Sequence, residues 1–290
     1  VPDSPLTDRT VVVTGAARGI GAELARELAH RGARLALLGH ERAALERLAA
    51  ELPTPALARE TDVTDTAALV TAAEEIRRSL GPPSAVVANA AVAEAGAFLD
   101  TDPAHWRRII DVNLTGSANT AHAFLPDLLR TAGYHLQIGS LASIGAAPMM
   151  SAYCASKAGA EALAHSLGAE LARHGVAVGI AYLGWTDTDM IRDGEHYAAL
   201  HELRTHMPPP AHRITPARTV AVRLADAVER RRTAVYVPGW LRAVQLVRAA
   251  VPPVVLRATR RQLPRTAARQ DLRPTGLLGG GGRADRTAAE

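Results

Sequence analysis

Short runs rich in Val, Leu and Ala alternate with longer helical patterns through most of this 290-residue chain, and that rhythm leaves few folds open. Val11–Thr14 reads as a strand and Ile20–Arg31 as a helix. Arg34–Leu38 and Glu41–Glu51 repeat the pair. Leu57–Thr61 and Ala85–Asn89 follow as strands, with a helix over Asp65–Leu80 between them. Leu136–Ser140, Val176–Tyr182 and Ala234–Val237 complete the series, and Thr215 or Thr219 is expected to cap a helix ending near Arg230. Continuous apolar strands separated by helices predict a parallel sheet covered on both faces. Right-handed crossovers then give a single doubly wound α/β domain of the Rossmann type.

Directly after the first strand comes Thr14-Gly15-Ala16-Ala17-Arg18-Gly19-Ile20-Gly21, opening the first helix. Glycines there allow a tight turn and close approach of a pyrophosphate, and the helix start supplies oriented N–H groups. The chain has one Lys and 32 Arg. The single lysine, Lys157, lies four residues after Tyr153, so a helix puts both on one face. A compact ammonium can do what a planar guanidinium cannot. An ammonium beside a phenol favours the phenolate, which predicts a Tyr153 pKa lowered toward neutrality and an acid/base role.

These residues, with others in the same order, resemble the classical short-chain dehydrogenases/reductases over roughly residues 8–238. Thr14–Gly21 matches the family's cofactor turn, and Asp62-Val63 matches its adenine-contacting pair. Asn89-Ala90-Ala91 matches an Asn-Ala-Gly motif, with Ala91 where Gly is usual. Asn113, Ser140, Tyr153 and Lys157 match the catalytic tetrad. Gly184 and Thr188 match the segment beside the nicotinamide, with Leu183 where Pro is usual.

The resemblance implies hydride transfer between a nicotinamide and a carbonyl or carbinol carbon. Ser140 would hold the substrate oxygen and Tyr153 would exchange its proton. Lys157 would steady the phenolate and bind the nicotinamide ribose, and Asn113 would anchor a water leading from Lys157 to solvent. The implied cofactor contacts are Gly15, Arg18, Gly19, Ile20, Gly21, His40, Arg42, Asp62, Val63, Asn89, Ala90, Lys157, Gly184 and Thr188. Gly39 ends the second strand without the carboxylate that reads an NAD ribose. Arg18 with His40 or Arg42 offers a partner for a 2′-phosphate. NADP(H) is therefore favoured over NAD(H), with Glu41 as the residue that would reverse this if the register slipped. A homodimer or homotetramer on helices around Asn113–Leu129 and Ser151–His174 is also implied.

Leu141, Ile144, Met149, Met150 and Trp185 predict an apolar substrate pocket, suited to a steroid-, retinoid- or polyketide-like carbonyl or alcohol. Residues 189–215 break the strand–helix rhythm and are expected to form a flap over it. A 3-oxoacyl-(acyl-carrier-protein) reductase is the alternative enzyme, and a non-catalytic cofactor sensor or scaffold the alternative of another class. His196, His201, His206 and His212 match no ligand spacing, and no metal is expected.

Residues 240–273 carry eight Arg and one Asp, whereas residues 1–239 sum to −3. The basic character is thus local, and nucleic-acid binding is not expected. Residues 1–239 are read as the catalytic domain, 240–263 as a basic amphipathic extension interrupted at Pro252-Pro253, and 264–290 as a disordered tail. The extension could dock on a membrane surface through Trp240, its Leu/Val face and Arg242, Arg248, Arg257, Arg260 and Arg261, or pack on its own pocket or on a neighbouring subunit. One cysteine, Cys154, excludes an internal disulfide. With no apolar leader at the start, it points to a cytoplasmic protein with a peripheral membrane contact as a second expectation.

Overall fold

The computed structural model describes residues 4–267, 272–279 and 282. In chain order its elements are β1 (Thr10–Thr14), α1 (Gly19–His30), β2 (Arg34–Gly39), α2 (Arg42–Glu51), β3 (Ala56–Glu60), α3 (Thr66–Leu80), β4 (Pro83–Ala88) and α4 (Pro103–Ile110). Then follow α5 (Gly116–Thr131), β5 (Tyr134–Ile138), α6 (Leu141–Ile144), α7 (Ser151–Leu171) and β6 (Ala177–Leu183). The remainder comprises β7 (Thr186–Asp187), α8 (Asp189–Gly194), α9 (Ala198–Thr205), β8 (Thr215–Pro216), α10 (Ala217–Arg230), β9 (Ala234–Val237), α11 (Leu241–Leu246) and α12 (Val251–Ala267). One π-helical turn, Asp111–Thr115, joins α4 to α5.

Seven strands form a single sheet in the order β3-β2-β1-β4-β5-β6-β9, every neighbouring pair parallel. The chain is the doubly wound α/β fold that its strand–helix alternation predicts. Side-chain alternation divides the core between the two faces. Val11, Val13, Leu35 and Leu37 point to one face, where Leu24 and Leu28 of α1 and Val220 and Leu224 of α10 cover them. Val12, Ala36, Leu38 and Val86 point to the other, beneath α3, α5 and α7. The strand order reverses between β1 and β4, which opens a crevice beyond their C-terminal ends.

Three local expectations change. Helix α10 begins after Pro216 with no side-chain cap, so neither Thr215 nor Thr219 performs that task. Pro252 and Pro253 do not interrupt the extension; they sit in the first turn of α12, where a missing N–H breaks no helical bond. Residues 264–267 continue α12, and residues 272–279 pair with the loop after β4 rather than trailing away. Ala93 and Leu278 exchange both backbone bonds, at 3.2 and 2.7 Å, and Thr275 N–H donates to Ala95 at 2.9 Å. Leu277 and Leu278 are buried by this pairing. Apart from residue 282, the rest of the 264–290 tail lies outside the described residues.

Candidate active site

The C-terminal ends of β1, β4, β5 and β6 meet in one cleft of about 990 Å³. Gly15 and Gly19 take positive φ, +64° and +53°, and make the turn that brings β1 into α1. A Cβ at Gly21 would lie 2.2 Å from the Gly15 carbonyl, so this turn closes only around glycine. No side chain caps the start of α1, which leaves its N–H groups facing the cleft end. The turn is therefore a bare cradle of the kind a dinucleotide pyrophosphate needs.

Polar pins hold the cradle. Asn89 Nδ2 donates to the carbonyls of Thr14 at 2.9 Å and Gly15 at 3.2 Å. Thr14 Oγ1 accepts the N–H of Asn89 and of Ala90, at 3.0 and 3.1 Å. Asn113, fully buried in the π-helical turn, accepts Val92 N–H at 2.9 Å and donates to Val92 O at 2.9 Å and Ser156 Oγ at 3.0 Å. Its amide thus fastens the loop after β4 to α7, a positioning task. The π turn that re-aims it has no clear sequence signature.

Ser140 caps α6, its Oγ accepting Ala142 N–H at 3.1 Å. It also faces the Tyr153 hydroxyl and acts to lower its pKa. Tyr153 and Lys157 project from one face of α7 as their spacing predicts, with Lys157 Nζ 5.8 Å from the Tyr153 ring centre. Nζ donates to Ile138 O at 3.0 Å. The expected lowering of the Tyr153 pKa does not occur in this arrangement. Burial pushes the phenol up to about 12 and outweighs the opposing effect of Ser140. Burial likewise pulls Lys157 down to about 8. Burial is the largest influence on both groups.

The remaining cofactor candidates divide. Gly15, Arg18, Gly19, Ile20, His40, Val63, Asn89, Ala90, Gly184 and Thr188 border the cleft. Gly21 lies behind the turn. Asp62 turns from the cleft toward Thr64 and Arg108, whose hydrogen bonds overcome the opposing effect of burial and hold its pKa low. Arg42 is exposed, pairs with Glu46 at 2.8 Å and does not border the cleft. Arg18 is not a free cation: its guanidinium grips Glu41 through two nitrogens and reaches Asp189 of the flap at 3.0 Å.

At the other end the walls are apolar. Leu141, Met149, Met150 and Trp185 line the cleft as expected, whereas Ile144 packs into the core. The flap adds Leu200, Leu203, Met207 and Pro208–Pro210. Two of its four histidines pair with carboxylates, His201 with Glu195 and His206 with Glu202. Among the described residues no cluster of three metal-ligating side chains exists.

Two further walls close the cleft: the extension, for which the sequence offered packing on its own pocket as an alternative, and a tail segment that sequence reasoning missed. Helices α11 and α12 lie along the cleft through Val244, Val251, Val254, Val255 and Thr259. Gly145 admits α12, since a Cβ there would sit 2.5 Å from Val251 Cγ1. An anchor behind this wall centres on buried Glu161, one turn beyond Lys157. Glu161 accepts Arg248 through both oxygens at 2.7 and 3.1 Å, Tyr182 at 2.7 Å and Gln245 at 3.1 Å. Its four-residue spacing from Lys157 on α7 was the available signal. The second wall is Leu278 and Gly279 of the tail, for which the glycine-rich sequence carries no signal.

The short chain dehydrogenase family matches residues 9–197. The chain belongs to the short-chain dehydrogenase/reductase family. Galactitol 2-dehydrogenase (L-tagatose-forming) of Cereibacter sphaeroides is 36% identical over 236 residues, 80% of this chain and 91% of that protein. Dehydrogenase/reductase SDR family member 7B of Bos taurus is 32% identical, covering 66% of this chain and 64% of its own. The crystal structure of gox2181 superposes with a TM-score of 0.72 at 24% identity, over 80% of this chain and 94% of that one, and shows the same fold. Membership makes the chain an oxidoreductase of CH–OH donors with NAD(P), and the bare cradle at Gly15–Gly21 fits that cofactor. The match to the family itself ends at residue 197, before α11, α12 and the tail segment that close the cleft.

Proposed function

We propose that the chain interconverts a ketone and a secondary alcohol on a lipophilic molecule, using NADP(H). The observation that carries this reading is the meeting of Ser140, Tyr153 and Lys157 with an otherwise apolar cleft. Bound nicotinamide would supply or accept the hydride. Ser140 Oγ and the Tyr153 hydroxyl hold the substrate oxygen. With its pKa raised to about 12, Tyr153 is a neutral hydroxyl at pH 7, the form that gives a proton to an alkoxide forming in reduction. For oxidation Lys157 must move its ammonium closer, away from Ile138 O, to favour the phenolate. Asn113 keeps the loop after β4 and α7 in register while this happens.

The relative named for galactitol acts on a polyol. Met149, Met150, Trp185, Val251 and Val255 offer such a molecule few hydroxyl partners, which supports a lipophilic body instead. NADP(H) is supported by Gly39, which carries no carboxylate, and by Arg18 and His40 at the cleft edge. A 2′-phosphate would have to take Arg18 from Glu41.

Nicotinamide absorbance with lipophilic ketones and alcohols, under NADP(H) and NAD(H), tests the proposal. Turnover should fall about 10²–10⁴-fold in Tyr153→Phe, the usual range for losing a general acid. A Tyr153→Phe enzyme with undiminished turnover overturns the assignment, and faster turnover with NAD(H) overturns the cofactor choice.

A further inference from the structure

Helices α11 and α12 have two sides with different surroundings. Val251, Val255 and Thr259, spaced one turn apart, form the half-buried row of α12 that borders the cleft. The outward side is apolar and cationic. Leu246 is 82% exposed, Val254 65%, Val247 58% and Leu256 53%, fractions that a helix packed into a domain does not leave open. Arg242, Arg257 and Arg260 are exposed among them, and among the described residues none of the three is in an ion pair. Residues 240–260 contain no Asp or Glu. Of the arginines that the sequence offered to a membrane, Arg248 is spent on Glu161, and the Arg261 side chain lies outside the described residues.

We infer that the outer face of α11 and α12 docks on an anionic membrane surface and sets the mouth of the cleft against the lipid. Aliphatic side chains flanked by Arg suit the boundary between headgroups and acyl chains, where each type finds its own solvent. Anionic headgroups complement a face that holds cations only. A second copy of the chain complements it poorly: a two-fold interface brings the same patch of both copies together, arginine against arginine. Val247 and Val254 belong both to the outer face and to the cleft border. A lipophilic substrate, if the proposed function holds, passes from the acyl layer along these residues without entering bulk water. No helix among the described residues is long and apolar enough to cross a membrane, so the contact is peripheral.

Flotation of the full chain with vesicles tests the inference without reading turnover. The chain should float with phosphatidylcholine vesicles containing phosphatidylglycerol, much less with phosphatidylcholine alone, and less again at high salt. Leu246→Glu combined with Leu256→Glu should lower the bound fraction roughly tenfold. Neither residue borders the cleft, so the melting temperature and turnover of a short ketone should match the parent and show that the variant is folded. Three results would overturn the docking surface. One is no flotation of the parent with either vesicle. Another is equal flotation of parent and variant. The third is a dimer, seen by sedimentation, that the two substitutions dissolve while vesicles bind neither protein.

Discussion

At the nucleotide end of the cleft, neighbouring strand ends are tied by short polar pins: Asn89 to Thr14 and Gly15, and Asn113 to Val92 and Ser156. At the substrate end, the walls are aliphatic pieces from distant parts of the chain: the flap near residues 200–210, α11 and α12 near 240–259, and the tail at Leu278. The first construction ties the strand ends through directional bonds, as positioning reactive atoms demands. The second excludes water and tolerates exchange of one apolar side chain for another. The comparison teaches that chemistry and selectivity are carried by separate elements of one cleft, which can be altered separately.

Substitutions at the two ends should therefore fail in different ways. The largest effect is expected from Gly21→Ala. Its methyl would lie 2.2 Å from the Gly15 carbonyl and force the cofactor turn apart. Cofactor affinity, measured by calorimetry, should weaken by roughly 100-fold or more, with turnover of every substrate lost together. Retained affinity would show that the turn is not the cofactor cradle.

The next effect appears in pH-dependent stability. Lys157 is held near 8 by burial, against an ordinary value of 10.5. Between those values the unfolded chain binds a proton that the folded chain does not, so stability rises with pH across that window. The cost of burying the ammonium is full below pH 8 and gone above about 10.5, on the order of 3 kcal/mol. The melting temperature of the parent, taken relative to Lys157→Met, should climb from pH 8 to pH 10.5. A flat difference would mean that Lys157 is solvated.

Arg248→Met should give the smallest of the three effects. The change leaves Glu161 with Tyr182, Gln245 and the exposed His165 as partners but without its guanidinium. Because Arg248 is partly exposed, a loss of about 1–2 kcal/mol is expected. The comparison predicts a raised KM for bulky substrates with unchanged cofactor affinity. Weakened cofactor binding would instead join the two ends into one unit.

What the sequence reveals follows the same division. The sheet is legible because parallel strands buried on both faces must be continuously apolar, and helices between them must be periodic. The candidate catalytic residues are legible because Tyr153 and Lys157 are local neighbours on one helix and the glycine turn abuts its strand. The electrostatics are not: spacing places an ammonium near a phenol, but only burial decides that both become neutral more readily. Arg18 shows a similar limit, since its pairing with Glu41 and Asp189 depends on side-chain paths across three elements. The walls from 240 onward are least legible. A Val/Leu face reads equally well toward lipid or cleft, and α12 turns one row of residues to each. In the tail, a glycine-rich composition suggests disorder, while two leucines and Thr275 suffice to pair it with Ala93 and Ala95.

The most direct test of the account is the dependence of kcat/KM on chain length for a homologous series of 2-ketones. An apolar cleft walled by α12 should gain up to about fourfold per added methylene, from the ~0.8 kcal/mol of burying one, until the cleft is filled. Val255→Asp, which puts a carboxylate on that wall, should flatten the slope. A parent enzyme indifferent to chain length, or one that prefers hydroxylated substrates of equal size, would contradict the account.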